Sequence, residues 1–170
     1  KIFIKCKDQP QVNGVFLNWS GFIYQAWFEL KSQDPIHLSK ALQLYQEGSS
    51  LIDQEFGRYS LKKYENLENL GYTFGLKGDY ENSLSQLDQA IRIVQKTYQN
   101  DCVYSLGNLY EMKAMTLFEM GKYSEALQLT FQSDQCKLLQ ISPQSPEMAW
   151  NYSDRSKIYA QIGDRSKAID

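Results

Sequence analysis

The sequence predicts an all-α chain, a solenoid of antiparallel helix pairs. Three observations predict it. A short glycine turn recurs, as Lys77-Gly78-Asp79-Tyr80, Met120-Gly121-Lys122-Tyr123 and Ile162-Gly163-Asp164-Arg165, with its glycines 43 and 42 residues apart. Apolar residues on both sides of each turn follow helical spacing. No segment alternates as a half-buried strand would. Self-similarity at one long period marks stacked supersecondary units, each burying its apolar face against the next.

The elements follow in order. Counting back 42 residues from Gly78 reaches Ile36, with Ala41 and Tyr45 beyond it, so a degenerate first unit starts near Phe16 and runs over 16–59. Asp34-Pro35 is a start signal for its second helix. This unit aligns only with an inter-helix turn, around Ser32 to Ile36, about three residues longer than the others. The second unit, 60–101, places Leu67, Leu70, Gly71 and Phe74 on one helical face. Gly78 then ends that helix in the left-handed conformation that suits a residue without Cβ. Asp79 caps the next helix, whose stripe is Tyr80, Leu84, Leu87, Ala90, Ile91 and Val94. The third unit, 102–144, repeats this with Tyr110, Ala114, Leu117, Tyr123, Ala126 and Leu127. The fourth, 145–170, opens on Ser145-Pro146-Glu147, an N-cap, a first-turn proline and an acid at the positive end of the dipole. It stops inside its second helix, so both chain ends look cut and the sequence reads as a fragment of a longer array. Gly71, Ala114 and Ser156 are small where two helices of a unit must approach. Ser83, Ala126 and Ala168 are small five residues after each turn glycine.

The recurring pattern of bulky residue, Leu-Gly, aromatic, turn glycine, aromatic and small residue resembles the tetratricopeptide repeat (TPR) family. Unit two carries it most fully, as Leu67, Leu70-Gly71, Phe74, Gly78, Tyr80, Ser83, Leu87 and Ala90. The period of 42 is similar to the long repeats of kinesin light chains and of many bacterial signalling proteins. Ser145-Pro146-Glu147-Met148-Ala149 resembles the His-Pro-Asp-Val-Ala segment of that subgroup. The resemblance implies a right-handed superhelix with a concave groove that binds extended or helical peptides. Carried over, the groove positions are Glu65, Glu68, Asn69 and Tyr72 in unit two. Unit three supplies Asn108, Glu111, Met112, Met115 and Phe118; unit four supplies Trp150, Ser153, Asp154, Lys157 and Gln161. Asn69 stands where the subgroup places a backbone-binding asparagine, but Met112 and Asp154 occupy the equivalent positions. Lys113 and Arg155 depart from the pattern where Leu70 fits.

Charge and composition narrow the function classes. Lys and Arg number 18 against 20 Asp and Glu, for a formal net charge of −2. Without a basic patch, nucleic acid is not an expected partner. The longest apolar stretch, Val15 to Phe28, is too short and too interrupted to span a membrane. Cys6, Cys102 and Cys136 are odd in number and widely spaced, fitting neither a zinc site nor a disulfide framework. They read as reduced, buried thiols, which places the protein in the cytoplasm. His37, the one histidine, reads as a solvated first-turn residue rather than a general base. Glu65 and Glu68, one turn apart, read as solvated acids. No phosphate-binding glycine loop occurs, so neither enzyme activity nor a cofactor is expected.

These expectations converge on a peptide- or protein-binding scaffold. The alternatives are the regulatory segment of a bacterial signalling or transcription-regulating protein, its effector outside this chain, and a self-associating spacer.

Overall fold

The computed structural model describes residues 10–169, with side chains from 14 to 168. Cys6 lies outside them. Every regular element among the described residues is helical: α1 (Pro10–Trp27), α2 (Pro35–Glu55), α3 (Leu61–Leu76), α4 (Tyr80–Thr97), α5 (Tyr104–Glu119), α6 (Tyr123–Lys137), α7 (Pro146–Ile162) and α8 (Arg165–Ile169). Two compact halves divide the chain between Ile93 and Val94, within α4.

Local chemistry sets the helix ends. Asp34, Ser60 and Ser145 each accept a backbone N–H from the first turn of α2, α3 and α7, and Pro35 and Pro146 stand at the first helical position. Such caps satisfy donors that a helix start leaves free. Gly78, Gly121 and Gly163 close α3, α5 and α7 with φ of 80°, 75° and 88°. In each case the next residue donates back across the turn, as Asp79 N to Phe74 O at 2.9 Å. Asp79 also accepts from the Asn82 backbone, as a cap should.

The first pair corrects the expectation of a longer turn. Only Gln33 and Asp34 separate its helical segments, because a π-helical turn over Phe28–Ser32 extends α1. Gln33, with φ of 47°, takes the left-handed place that glycine fills elsewhere. The extra residues lie in the helices. Gly21 packs on Tyr45, 24 residues on, whereas Gly71 packs on Leu87 only 16 residues on. The first pair thus carries eight more residues between these contacts, most of them in its first helix.

In the N-terminal half α1 and α2 approach so closely that side chains are excluded between them. A Cβ on Gly48 would sit 2.9 Å from the Gly14 carbonyl oxygen, and one on Gly21 would sit 2.7 Å from the Tyr45 ring. Ala41, Leu42, Tyr45 and Leu70 form a buried cluster, with Tyr24 and Phe74 against it. α3 joins through Asn66, fully buried, whose Nδ2 donates to Tyr45 O and to Asn18 Oδ1, both at 3.0 Å. Gln25 Oε1, also buried, accepts from the Tyr45 hydroxyl at 3.1 Å and from the Thr73 hydroxyl at 2.9 Å, tying three helices together. His37 is not simply solvated: it stacks on Trp27 (centroids 5.5 Å) and Tyr24 (6.2 Å), with Nδ1 2.9 Å from Ser32 Oγ.

In the C-terminal half α5 and α6 pair, and α7 lies on α6. Leu106, Leu109, Ala114 and Leu117 of α5, Ala126 and Cys136 of α6, and Met148 and Ile158 of α7 are buried. Cys102 and Cys136 form a disulfide, with Cα atoms 4.7 Å apart. This overturns the expectation of reduced thiols. Residues 34 apart in sequence meet because an antiparallel pair returns the end of its second helix to the start of its first. Gly107 allows the approach, since a Cβ there would lie 2.7 Å from Lys137 Cγ and 3.0 Å from Ser133 O. The thiol-based argument for a cytoplasmic location goes with it. No helix among the described residues is long and apolar enough to cross a membrane.

Candidate functional site

The N-terminal half contains a cavity of about 370 Å³, lined by Val15, Asn18, Trp19 and Phe22 of α1, Ile52 of α2, and Lys62, Glu65, Glu68 and Asn69 of α3. The structure thus brings three sequence-predicted groove residues, Glu65, Glu68 and Asn69, to one site. Helical spacing explains why: on α3 these residues and Lys62 sit three, four and seven apart, on one face. Tyr72 continues that face. Its hydroxyl donates to Glu29 at 3.3 Å, and burial together with the Glu29 carboxylate pushes it up to about 12.

The opposite wall was missed from sequence. If Gly21 and Gly71 are equivalent, then Val15, Asn18, Trp19 and Phe22 fall at the positions of Glu65, Glu68, Asn69 and Tyr72. The same positions of two successive repeats converge on one cavity. A glycine at the close-packing position was the available signal, but counting a fixed period back through the longer first pair conceals it.

The wall from α1 is apolar and open. Trp19 is 64% exposed and Phe22 44%, their rings edge to face with centroids 6.3 Å apart at 81°. The wall from α3 is charged. Lys62 and Glu65 form an ion pair at 3.0 Å. Glu68 is not a solvated acid: burial raises its pKa to about 7, a hydrogen bond from Tyr64 opposes this, and the neighbouring Glu65 charge adds to it.

In the C-terminal half the predicted positions are used differently. Glu111 pairs with Lys137, whose side chain is 2% exposed. Lys137 Nζ also donates to Asn151 Oδ1 at 2.8 Å, and Asn151 Nδ2 donates to Ser133 Oγ and Asp134 Oδ1, each at 2.8 Å. Arg155 closes the network on Asp134, which explains a charged residue at the place of Leu70. Burial raises the Glu111 pKa, and Lys137 opposes the rise. Asp154 is buried and held by Lys157 at 2.8 Å. Phe118 packs on Tyr123 across the turn, centroids 5.6 Å apart. Asn108, Met112 and Met115 are half-buried on α5, while Ser153, Lys157 and Gln161 are exposed on α7 beside Trp150, which is 70% exposed. Among the described residues no group of three or more His, Cys, Asp or Glu side chains is placed to hold a metal ion.

No family profile and no curated protein matches the sequence. Solved structures do match in fold. BtubC (BKLC) from P. vanneervenii superposes with a TM-score of 0.81 at 13% identity, over 98% of this chain and 64% of that one. The nearly identical TPR-like repeats described as a "putative kinesin light chain" of Podosopora anserina, and a point variant of them, superpose with a TM-score of 0.75 at 13% identity, over 92% of this chain and 71% of theirs. This chain therefore spans less than two thirds of the BtubC structure it matches. At such identity the likeness establishes the fold, an all-α repeat fold of the TPR-like kind.

Proposed function

We propose that this chain, with its TPR-like repeat fold, is a non-enzymatic scaffold that binds a protein or peptide segment in its helical groove. The observation that carries this reading is the cavity where matching positions of α1 and α3 converge. It combines exposed rings, amides and carboxylates on two rigid helices. Aromatic side chains in an open, preformed cleft supply contact area at low entropic cost, and neighbouring amides can meet a peptide backbone.

The test is capture of a random heptapeptide phage library on the immobilised chain, followed by titration of the selected peptides. Saturable binding is expected. Trp19→Ala and Asn69→Ala should each abolish it while helicity and melting stay unchanged. Capture that survives both substitutions would place binding elsewhere, and capture of nothing would remove the scaffold reading for these residues.

A further inference from the structure

We propose that the cavity between α1 and α3 takes a cationic side chain, the arginine or lysine of a bound peptide. The proposal rests on the groove reading above and names what that groove selects.

Charge is the first argument. The ionisable residues lining the cavity are Lys62, Glu65 and Glu68. Lys62 is already held by Glu65 at 3.0 Å, so among the described residues one carboxyl remains without a cation. Glu68 meets the Tyr64 hydroxyl and the repelling charge of Glu65. A half-buried carboxylate in that position gains from a cation that a ligand brings.

The rings are the second argument. Trp19 and Phe22 stand across the cavity from the carboxyls, and their edge-to-face corner leaves the Trp19 ring open. The face of a tryptophan attracts an ammonium or guanidinium group. Arginine and lysine also carry an apolar stem that packs along such a wall while the charged head reaches the acid. An apolar side chain would fill the ring side and leave Glu68 unmet.

The chain itself shows what satisfies a glutamate at this repeat position. Glu111 lies one period of 43 after Glu68, and there the chain supplies Lys137. The position one period before Lys137 is Val94, which has no charge to offer. The later repeat brings its own ammonium to its glutamate; in the earlier repeat the glutamate lines the cavity instead.

The experiment starts from the heptapeptides captured by the full chain. In each, the arginine or lysine is replaced by norleucine, and binding is measured to the native chain and to Glu68→Gln, using a Trp27→Phe, Trp150→Phe background in which Trp19 reports. The captured set should be enriched in Arg or Lys at one position. Norleucine should weaken binding about tenfold or more, and Glu68→Gln should shrink that ratio towards one. Captured peptides without cationic enrichment, equal binding of the norleucine peptides, or a ratio unchanged in Glu68→Gln would each overturn the proposal and leave the scaffold reading standing. Absence of any captured peptide removes both.

Discussion

Glu68 and Glu111 occupy the same place in successive repeats, and the two halves of the chain treat them in opposite ways. In the N-terminal half the glutamate lines an open cavity opposite two exposed rings. In the C-terminal half it is locked to a buried lysine and, through Asn151 and Asp134, to Arg155. The repeat scaffold fixes where a side chain points. Lys137 from the neighbouring helix α6 ties Glu111 into the fold, whereas Glu68 lines the cavity.

The largest effect should come from breaking the locked half. Lys137→Met leaves Glu111 and Asn151 buried without their cation. Removing one member of a buried pair costs about 3–5 kcal/mol, whereas replacing both members with apolar residues is often near neutral. Urea unfolding should therefore show a strong loss for Lys137→Met and substantial recovery in Lys137→Met with Glu111→Met. No recovery in the double variant would mean that the lysine acts through packing alone.

Reduction should come next. The Cys102–Cys136 bond closes a loop with a sequence separation of 34, for which about 2–4 kcal/mol of stabilisation is typical. Addition of a thiol reductant should lower protection from hydrogen exchange in α5 and α6 and leave α1 to α3 unchanged. Equal loss in both regions would break the contrast between them. A smaller cost, about 1–3 kcal/mol, is expected for Gly48→Ala, because the added Cβ meets the Gly14 carbonyl oxygen rather than a side chain that can move.

The sequence made the helices and their turns legible because both are local. Gly78, Gly121 and Gly163 end helices, and Ser60, Asp34 and Ser145 start them, by chemistry confined to one turn. It was also enough to bring Glu65, Glu68 and Asn69 to one face of α3. What it hid depended on pairing. The register of α1 against α3 turns on the contacts of Asn66 with Asn18 and of Thr73 with Gln25, which link residues far apart in sequence. Cys102 and Cys136 looked unrelated for the same reason. Glu68 and Glu111 are the same residue type at the same repeat position, so only their neighbours from other helices could tell them apart.

The smallest effect separates those two glutamates through their response to pH. Glu68 has a pKa raised by burial from 4.5 to about 7. Below pH 4.5 it is protonated in both folded and unfolded chains and contributes no difference. Between about 4.5 and 7 the unfolded chain loses its proton first, so folding stability falls as pH rises through that window. Glu68→Gln removes this slope. It should leave stability at pH 4 unchanged and raise it at pH 8 by about 1–2 kcal/mol, allowing for solvent contact through the open cavity. Glu111 is shifted in the same direction, but Lys137 opposes the rise, so the effect of Glu111→Gln should change less between pH 4 and pH 8. Urea unfolding of both variants at pH 4 and pH 8 checks the pair. If the effects of the two glutamines change equally between pH 4 and pH 8, Lys137 does not distinguish the two sites, and the division between a ligand-facing and a locked glutamate fails.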